Sequence, residues 1–142
     1  MAGPRRRGRE AALQMLYQMD TTGVDAPAAA GLFWDHLSPG DGGMDEGAQA
    51  FANELVLGIE RERERIDAAI KQASEHWRIE RMPRVDRNVL RVAVYEILFL
   101  KDIPRRVTIN EAIELAKRYG DAGSASFVNG VLDRIAQDAG KD

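Results

Sequence analysis

A chain of 142 residues, 44% hydrophobic and 30% charged, is sized for one domain with a real apolar core. It has no cysteine, which excludes a disulfide framework, thiolate zinc or iron–sulfur ligation and a cysteine nucleophile. The net charge of −3 hides a division: residues 20–60 hold eight acids and no Lys or Arg, which leaves +5 on the remainder and gives an anionic partner a surface to meet.

Helical spacing runs through the chain, no segment alternates as a strand does, and about seven helices can be counted, so an all-α fold is expected. The first helix spans Gly8 to Met19, with Ala12, Leu13, Leu16, Tyr17 and Met19 on its apolar face and Thr21-Thr22-Gly23 as its stop. The arginines Arg5, Arg6, Arg7 and Arg9 stand at its start and lead into Glu10 and an amphipathic stretch, where a secretory signal would be apolar without a break. A second helix around Ala26 to Leu37 should bury Ala29, Leu32 and Phe33, with His36 a further candidate for burial. Ser38 to Gly47 is then acidic, glycine-rich and expected to be a flexible loop.

Asp45 suits an N-cap, and Ala48, Phe51, Ala52, Leu55, Val56 and Ile59 follow on one face. That face resumes at Ile66, Ala69, Ile70 and Ala73, which predicts one long helix to about Ser74, bent at Gly58. Between its halves, Glu60 to Arg65 alternate in charge and read as solvated surface, since i,i+3 pairs attract while i,i+4 pairs repel. Trp77, Ile79 and Met82 fall in a short helical or turn segment. The helix from Pro83 to Leu100 carries apolar residues on more than one face and should be the central one. Thr108-Ile109-Asn110-Glu111 fits a capping box, with Gly120 ending the helix it begins. A last helix runs from Ala122 or Ser124 to Ala139, and its Gly130 predicts close packing against a neighbour.

Catalytic chemistry is poorly supplied. His36 and His76 stand forty residues apart without metal-ligand spacing, and Gly40 to Gly47 lacks the order of a phosphate loop. Glu111 and Glu114 read as cap and surface. No catalytic residue, metal or cofactor is expected, nor any apolar run approaching the ~18 residues of a membrane span. The chain therefore reads as a soluble, cytoplasmic, non-enzymatic protein. The four N-terminal arginines are the better functional signal, because guanidinium binds phosphate bidentately and keeps its charge. Arg78, Arg81, Arg84, Arg87 and Arg91 form a second basic group, and Lys101, Arg105 and Arg106 a third. Tyr17 or Phe127 could stack an unpaired RNA base, core packing being the simpler role for both.

Four blocks, in order, resemble the NusB transcription antitermination family: Arg5-Arg6-Arg7-Gly8-Arg9-Glu10-Ala11-Ala12-Leu13-Gln14-Met15-Leu16-Tyr17, Val85-Asp86-Arg87-Asn88-Val89-Leu90-Arg91-Val92-Ala93-Val94-Tyr95-Glu96, Ile109-Asn110-Glu111-Ala112-Ile113-Glu114-Leu115-Ala116-Lys117 and Phe127-Val128-Asn129-Gly130-Val131-Leu132-Asp133. The resemblance implies a single all-α domain over residues 1–142, with about seven helices in two packed subdomains. It implies binding of the boxA element of ribosomal RNA leader transcripts together with NusE, a small-subunit ribosomal protein, and entry of that complex into elongating RNA polymerase. By position, RNA contact passes to Arg5, Arg6, Arg7 and Arg9, with help from Ser124, Ser126 and Phe127. Tyr17 and Asp86 take positions linked to NusE and complex assembly. The sequence departs from better-known members at residues 122–126, which are small and neutral, and in the acidic loop 38–47, which carries no transferable motif.

Whether the basic segment 1–8 is ordered before RNA arrives stays open, and disorder there would be compatible with folding on binding. Some relatives self-associate, so a homodimer stays open, as does a helical protein–protein adapter without RNA specificity. Certain RNA methyltransferases carry a similar helical domain ahead of a catalytic one; methyl transfer by this chain alone is expected to be undetectable.

Overall fold

The computed structural model describes residues 3–35, 46–75 and 77–142, which form seven α-helices, a short 3-10 turn and no strand. The expectations for His36, Leu37, Asp45, His76 and the loop 38–45 lie outside the described residues. Two compact units meet in sequence at Arg61 and Glu62.

The first unit holds α1 (Pro4–Thr22), α2 (Ala26–Asp35) and α3 (Glu46–Arg61). The first helix begins four residues earlier than its apolar periodicity suggests, because Pro4 at the first turn needs no amide partner and the arginines that follow form helix well. It stops as expected: Gly23 adopts φ 78° and its N–H donates to Met19 O at 2.8 Å. Asp25 Oδ1 caps α2 by accepting from Ala28 N–H at 3.0 Å, and Glu60 Oε2, from the end of α3, accepts from Ala26 N–H at 2.7 Å. Ala29 is buried, but Leu32 is exposed and Phe33 only half-buried, so α2 turns less of itself inward than predicted. Ala12, Met15 and Leu16 of α1 and Ala52, Leu55, Val56 and Ile59 of α3 supply the buried apolar surface.

The predicted long helix is two. α3 ends at Arg61 and α4 (Arg63–Ala73) follows a break at Glu62 (φ −104°, ψ 20°), not at Gly58, which lies buried within α3. The alternating charged run offers no apolar side chain to hold the helix through that point, whereas Gly58 is flanked by buried Val56 and Ile59.

The second unit continues with the 3-10 turn Ile79–Arg81, α5 (Arg84–Phe99), α6 (Arg105–Tyr119) and α7 (Ser124–Asp138). α4, α6 and α7 all pack on α5, whose residues 88–97 are buried without interruption, as its all-round apolar character requires. Arg91 leaves the basic group assigned from sequence: it is buried and clasps Asp67 through Nε and Nη2 at 3.0 and 3.1 Å, with Nη1 donating to Asn88 Oδ1 at 3.0 Å. The capping box is also corrected. Pro104 stands at the start of α6, and Thr108, one turn inside, donates its hydroxyl to buried Glu96 Oε1 at 2.8 Å. A buried carboxylate demands a donor more strongly than an exposed helix end does. Lys141 Nζ closes α5 by donating to Leu100 O at 2.7 Å, and burial lowers its pKa against the attraction of Asp102 and Glu96. Gly130, expected to be closely packed, has open space where a Cβ would be.

Candidate nucleic-acid interface

In the first unit, the four arginines occupy the first two turns of α1, where the unpaired backbone N–H groups and the positive end of the helix dipole already favour anions. No acidic residue lies in the first turn, and Glu10 follows in the second. The helix thus carries a cationic cluster at the end where cations are least favourable, a cost of a few tenths of a kcal/mol per charge at roughly this exposure. The four are not equivalent. Arg5 and Arg6 are exposed, Arg7 is half-buried, and Arg9 keeps only 3% of its surface.

Packing of α1 on α3 explains the difference. Gly8 lets the helices approach closely: a Cβ there would lie 3.0 Å from both Ala48 O and Phe51 Cδ2. The Phe51 ring is thereby set beneath two guanidiniums one helical turn apart, with Arg5 Cζ 5.5 Å and Arg9 Cζ 5.4 Å from its centroid. The i,i+4 spacing of Arg5 and Arg9 is readable in sequence, but the ring that receives them is not. Tyr17, predicted on the apolar face, is 48% exposed and adds an aromatic surface to α1.

The second unit carries Asp86, Ser124, Ser126 and Phe127. It brings the first two together in its interior: Ser124, 2% exposed, donates its hydroxyl to Asp86 Oδ1 at 2.6 Å and accepts from Asp121 N–H at 3.0 Å. Asp86 is itself only 5% exposed, so both side chains fix the entry to α7 and present no polar group outward. Gly120 is required by the same contact, since a Cβ there would lie 2.6 Å from Ser124 Oγ. Its extended backbone (φ −101°, ψ −169°) shows that space, not left-handed φ, makes it glycine. Ser126 is exposed on the first turn of α7, and half-buried Phe127 leans on Trp77 with ring centroids 5.6 Å apart. Arg78 and Arg81 are exposed on the segment before α5 and Arg84 is exposed at its first residue, while Arg87 is half-buried and Arg91 is not at the surface. The arrangement offers fixed cations and aromatic faces. Among the described residues no helix is long and apolar enough to cross a membrane.

Residues 6–137 match the family model described as the NusB family. The transcription antitermination protein NusB of Sorangium cellulosum is 50% identical over 139 residues, covering 98% of this chain and 96% of that protein. Its namesake from Geobacter sulfurreducens is 49% identical over 134 residues and 94% of each chain. Among solved structures, NusB of T. maritima superposes with a TM-score of 0.84 at 43% identity, over 97% of this chain and 94% of that one. A chain from a crystal structure of the antitermination factors NusB and NusE with double-stranded RNA has a TM-score of 0.80 at 29% identity, over 97% and 99% of the two chains.

Proposed function

The chain belongs to the NusB family, and we propose that it is a transcription antitermination factor that binds boxA RNA of ribosomal RNA leader transcripts together with NusE and helps assemble the antitermination complex on RNA polymerase. The arginine-rich first turns of α1, with Arg5 and Arg6 exposed and Arg5 held over Phe51, carry this reading.

The work of such a protein is binding, in the bacterial cytoplasm, with no bond made or broken. Arg5, Arg6 and the edge of Arg7 engage phosphates, while buried Arg9 shares the Phe51 ring with Arg5 and so fixes the start of α1. In this reading a base stacks on Phe127 and the exposed Ser126 hydroxyl bonds a phosphate or ribose. Ser124 and Asp86 act from within, by setting the angle at which α7 presents those two residues. Exposed Tyr17 serves the NusE side. Two modest surfaces favouring one composite complex give coupling, so each partner raises the affinity of the other by the same factor.

The test is a salt series of fluorescence-anisotropy titrations with boxA-like single-stranded RNA and a scrambled control, each with and without NusE. The expected result is a boxA preference strengthened by NusE and weakened by salt. Arg5→Ala with Arg6→Ala should lower the salt slope by about 1.4, since each single-strand phosphate contact contributes about 0.7. No preference for boxA even with NusE would refute the reading and leave a helical adapter.

A further inference from the structure

We propose that Trp77 is a base-stacking residue for single-stranded RNA, extending the aromatic face of Phe127. The inference rests on the RNA-binding function proposed above. Trp77 is 53% exposed, although an indole ring left in water forfeits much of the burial its size allows. It is also held there. The turn after α4 places Glu75 at φ 60°, a left-handed conformation that side-chain-bearing residues adopt at a cost and that persists where its surroundings enforce it. Three contacts enforce it here. The Ser74 hydroxyl lies 3.3 Å from Trp77 O, Trp77 N–H donates to Ser74 O at 3.4 Å, and the Glu75 carboxylate pairs with Arg134 of α7 at 2.7 Å. The same helix that carries Phe127 therefore anchors the turn that carries Trp77, and the two rings lie 5.6 Å apart at 45°.

The chemistry around the pair selects the ligand. Arg78 follows Trp77 directly, and Arg81 and Arg84 are exposed just beyond it, against Glu80 alone in that segment. Aromatic faces interleaved with guanidiniums suit a single strand, whose bases stack and whose phosphates pair, and every base has a face to stack. The tilt between the rings lets successive unstacked bases lie on each in turn.

Trp77 can be read directly, because Trp34 is the only other tryptophan. In a Trp34→Phe protein, titration with boxA-like single-stranded RNA should quench Trp77 fluorescence in step with the rise in anisotropy. Trp77→Leu should weaken RNA binding by about tenfold, and Trp77→Phe should recover most of the loss. Should Trp34→Phe fail to fold, the difference between wild type and Trp77→Phe reports the same ring. RNA bound at full affinity by Trp77→Leu, with no quenching in the parent, overturns the stacking role and leaves the proposed function standing. Loss of NusE capture by Trp77→Leu with RNA binding intact also overturns it, assigning the ring to a protein surface. Absence of RNA binding by the wild-type protein removes both readings together.

Discussion

Replacing Arg91 with methionine tests whether a residue that looks basic in sequence serves the fold or the ligand. Its guanidinium makes three hydrogen bonds of 3.0 to 3.1 Å, two to Asp67 and one to Asn88, from a side chain that is 5% exposed. Removing one member of a fully buried pair costs about 3–5 kcal/mol, mostly for the charge left behind. Asp67 is 26% exposed and keeps Arg63 at 3.4 Å, so part of that charge is recovered by water and by the second arginine. About 2–3 kcal/mol remains as the expected loss. At about 3 °C per kcal/mol for a chain of this length, Tm should fall by roughly 6–9 °C. Thermal and urea unfolding followed by far-UV circular dichroism give the stability, and anisotropy at a temperature where both proteins are folded gives RNA affinity. The affinity should not change. Arg91→Met combined with Asp67→Leu should regain part of the stability, since no charge is then stranded. A loss below about 1 kcal/mol, or a weakened RNA affinity in the folded variant, would refute the burial argument.

Ser124→Ala removes a donor from the buried Asp86 carboxylate and should cost about 1–3 kcal/mol in urea unfolding; Gly120→Ala should mimic it, because the new Cβ needs the space of Ser124 Oγ. Both should weaken RNA binding by altering the entry to α7, and an unchanged affinity would limit the contact to stability. Phe51→Leu keeps an apolar residue beneath Gly8 but removes the ring under Arg5 and Arg9, with an expected loss of about 0.5–1 kcal/mol for each guanidinium. Phe51→Tyr should restore it; equal behaviour of the two variants in thermal unfolding would show that packing alone matters. The lowered pKa of Lys141 means that, as pH rises from its folded value toward 10.5, the unfolded chain holds a proton that the folded one has shed. Stability attributable to this residue should therefore rise with pH across that window, as read from Tm of wild type against Lys141→Gln. A flat difference would remove the desolvation effect.

Much of this protein was legible in one dimension. Apolar spacing located the helical segments, though it joined α3 and α4 into one, Gly23 marked its stop by the φ that only glycine takes freely, and the all-round apolar pattern of α5 identified the central helix. The arginine run and the four family-like blocks gave the candidate site its residues. These features depend on neighbours within a turn or two, which sequence states directly. What escaped depends on partners distant in the chain. The spacing of Thr108 and Glu111 suggested a cap, but Glu96, twelve residues upstream, claims the hydroxyl. Arg9 and Arg91 read as surface cations until Phe51 and Asp67 were placed beside them. Gly130 and Gly120 have the same residue type with opposite surroundings, one facing open space and the other pressed against a serine hydroxyl. Local propensity and periodicity thus determined which segments are helical and most of the face each turns inward, Tyr17 and Leu32 being the exceptions. Only tertiary packing decided which charges are buried, which glycines are needed and which aromatic rings remain at the surface, because burial and desolvation arise from contacts between helices rather than along them.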